Sequence, residues 1–67
     1  MSETSDAAPL RILVVDDEPI YREYLEQFLD HQGMSVRTAE TGAEAIAIGG
    51  EFRPDLLLVD WLLRSEK

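Results

Sequence analysis

The sequence predicts an α/β domain with three parallel strands and two helices. Two short apolar runs, at residues 10–15 and 56–59, are typical of strands buried on both faces. A shorter alternating segment lies between them at residues 34–39, and two segments of helical spacing begin after Pro19 and Thr41. The resulting order, β-α-β-α-β with short connections, favours a parallel sheet joined by right-handed crossovers.

The first strand and the first helix have the clearest signals. The apolar run at 10–15 is interrupted only by Arg11 and stops at the acidic stretch 16–18. Pro19 is well placed at the first position of a helix, and Gly33 is a natural stop for it. The apolar residues of this helix are spaced to share one face: Ile20, Tyr24, Leu25, Phe28 and Leu29.

The second half of the chain is predicted to form a strand, a helix and a further strand, with weaker signals than in the first half. Residues 34–39 alternate between apolar and polar side chains, which is typical of a strand near a sheet edge. Residues 41–44 fit the S/T-x-x-E capping box, and the Ala-rich helix that follows is predicted to end at Gly49-Gly50. The last apolar run, at 56–59, is predicted to be a fully buried strand that ends at Asp60.

Composition narrows the class of protein. The chain has 67 residues, no cysteine, one histidine and a net charge of −8. A chain without cysteine has neither disulfides nor cysteine zinc sites, and the negative charge disfavours direct contact with nucleic acid or an anionic membrane surface. No apolar run approaches the roughly 20 residues that span a bilayer. We therefore expect a cytoplasmic protein with a disordered tail at residues 1–9 and a folded domain at 10–67.

Three acidic residues follow the two buried strands: Asp16, Asp17 and Asp60. Because the carboxyl ends of parallel strands meet at one edge of a sheet, these side chains are expected in one crevice. Carboxylates gathered in this way repel one another unless a cation lies between them, and an all-oxygen set suits Mg²⁺. With such a metal, one carboxylate could act as a nucleophile toward a phosphoryl group. In the alternative interpretation, Asp17 or Glu18 only complements the dipole of the helix that follows.

Three segments together resemble the first half of a response-regulator receiver domain. They are residues 12–19 (ILVVDDEP), 39–45 (AETGAEA) and 54–60 (PDLLLVD), and they occur in the family's order and spacing. The resemblance implies a truncated flavodoxin-like (βα)2β unit with its strands in the order 2-1-3. It also implies a phosphoacceptor of a two-component phosphorelay, which takes a phosphoryl group from a histidine kinase or phosphotransfer protein.

The resemblance also implies a role for each site residue. Asp60 matches the family's phosphorylated aspartate and contributes to the metal site. Asp17 matches the direct Mg²⁺ ligand, Asp16 matches its neighbour that holds the metal through water, and the backbone carbonyl of Leu62 matches a further ligand. The family's Ser/Thr switch residue and its phosphoryl-contacting lysine have no counterpart in these 67 residues, so impaired switching is expected.

Two other functions remain open from the sequence. Half a receiver would leave its third strand as an uncovered apolar edge, so we expect at least a homodimer, joined through that strand or by exchange of elements. A non-catalytic dimerisation or interaction module is therefore one alternative. The other is a Mg²⁺-dependent phosphatase or phosphotransferase acting on small molecules, but the sequence has neither of the common glycine-rich phosphate loops. We expect a phosphoacceptor that assists its own phosphorylation rather than an enzyme.

Overall fold

The computed structural model describes residues 9–59, which form a three-stranded sheet and two helices. The strands are parallel and lie in the order β2-β1-β3. This confirms the predicted α/β class and strand order. Most of the predicted tail, together with Asp60 and Leu62, lies outside the described residues. The elements are β1 (Arg11–Val15), α1 (Pro19–His31), β2 (Ser35–Ala39), α2 (Gly42–Phe52) and β3 (Leu56–Val59).

β1 is the centre of the fold, with a strand on each side. Residues 12–15 are each at most 2% exposed. The chain moves from β1 to β2 in one direction and then back past β1 to β3, so right-handed crossovers place α1 and α2 on opposite faces of the sheet. Leu13, Val15 and Ala39 form the core cluster against Ala45 and Ile48 of α2.

The apolar face of α1 is only partly buried. The helix begins at Pro19, as predicted, and the chain turns at Gly33 with a φ of 90°. Tyr24 and Phe28, however, are 62% and 50% exposed, whereas Leu25 is half-buried. α1 packs on β1 and β2 but not on β3, which leaves part of its apolar face exposed.

The start of α2 confirms the predicted capping box, with a small variation. The Thr41 hydroxyl oxygen accepts a hydrogen bond from the Glu44 backbone N–H at 3.2 Å. The Glu44 carboxylate reaches back to the backbone N–H of Glu40, at 2.8 Å, rather than to that of Thr41. Two amides that the helix cannot satisfy internally are therefore paired by side chains.

The predicted end of α2 at Gly49-Gly50 is wrong. The helix continues to Phe52, and Arg53 then adopts the left-handed conformation with a φ of 55°. The Arg53 backbone N–H donates to the carbonyl of Gly49 at 2.9 Å, and Pro54 cannot extend the helix. A glycine pair weakens a helix but does not stop one whose last turn is closed in this way.

β3 is an edge strand, and the prediction that it is fully buried is wrong. Leu56, Leu57 and Val59 are 46%, 52% and 48% exposed. Among the described residues β3 pairs with β1 on one side, and its other side is open. The expectation that the third strand is an uncovered apolar edge describes this part of the chain correctly.

The amino-terminal end of the sheet is closed by contacts around Phe52. The guanidinium carbons of Arg11 and Arg37 lie 5.9 and 5.1 Å from its ring centroid. Arg11 Nε also donates to the Phe52 carbonyl at 3.1 Å, and the Asp55 backbone N–H donates to the Arg11 carbonyl at 2.7 Å. These contacts join the end of α2 to β1. Neither helix in residues 9–59 has the length and apolar character of a bilayer span.

Candidate functional site

Asp16 and Asp17 follow β1 at the carboxyl edge of the sheet. The backbone N–H of Asp16 donates to the Ala39 carbonyl at 3.1 Å, so the pairing of β1 with β2 continues to this residue. Val15 and Val59, the last residues of β1 and β3, are register partners. The two strands therefore end at the same level, so residues that directly follow them lie at the same edge of the sheet.

Asp16 is held firmly in the turn that leads to α1. The residue is 7% exposed, and its Oδ1 accepts a hydrogen bond from the Glu18 backbone N–H at 2.9 Å. The Asp16 carbonyl accepts a second hydrogen bond from Arg22 Nη1 at 2.8 Å. A buried carboxylate is stable only when its oxygens are paired, solvated or bound to a cation, and one oxygen of Asp16 is engaged by the turn.

The helix-capping interpretation of the acidic stretch has mixed support. Glu18 is the N-cap residue of α1, but its side chain makes no capping hydrogen bond. The Asp16 carboxylate instead receives the Glu18 amide, which stabilises the turn before the helix. Asp17, beside it, is half-buried. Asp16 is thus ordered by the strand and the turn, and Glu18 has no side-chain capping role.

The chemistry of these donors fits Mg²⁺, although residues 9–59 do not supply a complete set. Within this range no group of three or more His, Cys, Asp or Glu side chains is arranged to hold a metal ion. Asp16 and Asp17 offer hard carboxylate oxygens, which are the ligands Mg²⁺ takes from proteins. The remaining predicted ligands, Asp60 and the Leu62 carbonyl, lie outside the described residues.

A groove of about 370 Å³ opens beside Asp16, between α1 and β3. Its walls are mainly apolar and aromatic, and none of its described lining residues is basic. A second groove, of about 380 Å³, lies on the opposite face between α2 and β3 and is also mainly apolar. Among residues 9–59, neither groove is lined by the basic side chains that would hold an anionic small-molecule substrate. The main lining residues of the first groove are Val14, Tyr21, Tyr24, Leu25 and Leu58.

Sequence reasoning missed the role of Arg22. Arg22 is not among the residues predicted to form the apolar face of this helix, and no role at the site followed from its spacing. In the structure Arg22 is half-buried, and its side chain reaches back to the Asp16 carbonyl. The sequence did contain a signal for this contact, because a basic residue lies one turn into a helix that comes directly after three acidic residues.

Comparisons with known proteins identify the family of the chain. The family model for the response regulator receiver domain matches residues 12–67. The chain is 39% identical over 59 residues to the transcriptional regulatory protein TrcR of Mycobacterium tuberculosis, covering 88% of this chain and 23% of that protein. It is 42% identical over 55 residues to the response regulator MprA of a Mycobacterium species, with coverages of 82% and 24%.

A relative from another genus matches over slightly more of the chain. Identity to the transcriptional regulatory protein ResD of Bacillus subtilis is 40% over 63 residues, covering 94% of this chain and 25% of that protein. The chain thus spans about a quarter of the length of these relatives. No solved structure gave a significant match.

Proposed function

Because the chain belongs to the response regulator receiver domain family, we propose that it takes a phosphoryl group onto Asp60 from a histidine kinase or phosphotransfer protein. Receiver domains of this family are signalling domains rather than conventional enzymes. The observation that supports the proposal best is the carboxyl edge of the sheet, where β1 and β3 end in register and Asp16 is fixed directly after β1. In sequence, Asp60 follows β3 as Asp16 follows β1.

In the proposed reaction, a carboxylate oxygen of Asp60 attacks the phosphorus atom of the donor's phosphohistidine. A P–O bond to Asp60 forms as the P–N bond to the imidazole breaks, which leaves an acyl phosphate on this chain. We assign Asp16, Asp17, Asp60 and the Leu62 carbonyl to a Mg²⁺ site. When bound, Mg²⁺ offsets the negative charge of the phosphoryl oxygens and the carboxylates.

The test is phosphorylation of the whole chain by acetyl phosphate in the presence of Mg²⁺, followed by intact-protein mass spectrometry. We expect one added phosphoryl group in the wild-type protein and none in Asp60→Asn. Asp30→Asn is the matched control, because Asp30 is an exposed acid on α1, away from the carboxyl edge of the sheet. Equal uptake by wild type and Asp60→Asn would contradict the assignment of the acceptor.

Self-association through β3 is a second candidate function, favoured by the exposure of this strand. Open backbone groups on an apolar edge strand are a template for pairing with another chain. The apolar grooves on both sides of β3 add surface that a second copy could cover. We propose a homodimer joined at β3 or by exchange of elements.

Leu57→Lys tests the dimer, since Leu57 is 52% exposed in the middle of β3. We expect wild type to sediment as a dimer and Leu57→Lys to shift toward the monomer, because a charged side chain on an edge strand opposes pairing. Ile20→Lys is the control, since Ile20 is 79% exposed on α1 and lies away from β3. A monomeric wild-type protein would refute the dimer.

A further inference from the structure

The turn between β1 and α1 is tied to the helix by an arginine side chain. Arg22 Nη1 donates to the Asp16 carbonyl at 2.8 Å. The Arg22 backbone N–H donates to the Glu18 carbonyl at 3.0 Å, as part of the first helical turn. The side chain is half-buried and therefore lies along the turn rather than in open solvent.

Asp16 is restrained at three different atoms. Its amide is paired with the Ala39 carbonyl of β2, and its Oδ1 receives the Glu18 amide. Both of these hydrogen bonds use backbone donors of the strand and the turn. The third, at the Asp16 carbonyl, is the one donated by a helix side chain. Arg22 thus couples the orientation of α1 to the peptide that joins Asp16 to Asp17.

We propose that Arg22 is a positioning residue for the acidic edge: its guanidinium fixes the Asp16–Asp17 peptide so that both carboxylates are held ready for a divalent cation. This role rests on the proposed function, because it presupposes that the two acids bind Mg²⁺. Hydrogen bonds from charged donors are about twice as strong as neutral ones. The planar guanidinium also holds its N–H groups in fixed directions, which a flexible ammonium group does not.

The proposal and simple electrostatics predict opposite changes in Mg²⁺ affinity when the charge of Arg22 is removed. A positive group beside a cation site repels the cation, so loss of charge alone at Arg22 would tighten Mg²⁺ binding. If positioning dominates, the same loss weakens binding, because groups that orient metal ligands typically contribute about 10–100-fold to metal affinity. The direction of the change therefore separates the two effects.

The experiment measures Mg²⁺ affinity of the full 67-residue chain by titration calorimetry for wild type, Arg22→Met and Arg22→Lys. We expect Arg22→Met to bind about tenfold more weakly, because methionine cannot donate to the Asp16 carbonyl. Arg22→Lys should lose less, since an ammonium group can still donate a hydrogen bond but lacks the planar fork. Arg37→Met is the matched control. It removes the same charge from the middle of β2, where the Arg37 guanidinium lies over the Phe52 ring, and the affinity of this variant should stay near that of wild type.

A second measurement, amide hydrogen exchange, reports directly on the order of the turn between β1 and α1. Without Mg²⁺, the Glu18 amide hydrogen should exchange faster in Arg22→Met than in wild type, while the amides of the β1–β2 ladder keep their protection. A general loss of stability would instead accelerate exchange at all of these amides. Uniform acceleration, or unchanged exchange at Glu18, would contradict the positioning role.

The outcomes distinguish this role from the proposed function. Wild-type binding of Mg²⁺ with equal or tighter binding by folded Arg22→Met overturns the role of Arg22 alone. Failure of wild type to bind Mg²⁺ overturns both the metal assignment and this role, whereas phosphorylation at Asp60 is tested separately. If Arg22→Met does not fold, weaker binding by Arg22→Lys supports the proposal and unchanged binding overturns it.

Discussion

Replacing Gly50 with alanine should stabilise the fold. Gly50 lies in the last turns of α2, where the sequence alone predicted that the helix had already ended. A Cβ atom built at Gly50 meets no heavy atom within 4 Å apart from its chain neighbours and the backbone of its own helix, and the residue is exposed. The substitution therefore adds no clash and buries no new surface. Its effect comes from the backbone, because alanine loses less conformational freedom than glycine when it enters a helix.

The expected gain is about 0.5–1 kcal/mol in the free energy of unfolding, the usual difference between alanine and glycine inside a helix. For a domain of this size, about 1 kcal/mol corresponds to a rise of roughly 4–8 °C in Tm. Far-UV circular dichroism of the whole chain, followed through urea and thermal unfolding, measures both quantities.

Gly33→Ala is the matched control, since a Cβ at Gly33 also meets nothing within 4 Å. Its φ of 90°, however, is unfavourable for alanine, so this variant should be less stable than wild type. The two substitutions differ in backbone conformation rather than in contacts. A Gly50→Ala protein no more stable than wild type would refute the reasoning and support an end of α2 near Gly49.

Three further substitutions, and one control, test the packing of the fold by equilibrium denaturation. Thr41→Ala removes the side-chain acceptor at the start of α2 and should cost about 1 kcal/mol, whereas no loss would argue against the cap. Leu13→Ala empties a position that is 1% exposed and should cost about 2–5 kcal/mol, while Ile46→Ala, at 79% exposure, should cost far less. Phe52→Leu keeps an apolar side chain but loses the contacts with two guanidinium groups. It should cost about 1 kcal/mol at low salt, and an unchanged protein would show that those contacts add nothing.

Local signals predicted the starts of both helices correctly. Pro19 and the 41–44 capping box act through the backbone of their own neighbours, so a few residues of sequence contain the whole interaction. The end of α2 was less predictable. Glycine at 49 and 50 suggested a stop, but the hydrogen bond that closes the last turn is donated by the Arg53 backbone. No pattern of side chains predicted that Arg53, which is not a glycine, would adopt the left-handed conformation.

In the candidate site, too, some features could be predicted from the sequence and others could not. Asp16 and Asp17 could be predicted because each strand end in a parallel sheet lies at a known edge, whatever the rest of the fold does. The hydrogen bond from Arg22 to the Asp16 carbonyl could not be predicted, since it depends on how closely α1 lies against the turn. Helical periodicity says which residues share a face but not how far a long side chain reaches back along the helix.

By itself, the sequence determined the order of the elements, the strand order through its family resemblance, and the acids at the strand ends. These follow from interactions between near neighbours and from the rules of parallel sheets. Only the tertiary structure decided how much of each apolar face is covered. The same apolar pattern leaves β1 almost fully buried and β3 about half exposed, because β1 has a strand on each side in the described part of the chain and β3 has one. Burial depends on neighbours that lie far apart in the chain, and a pattern of residue types does not specify them.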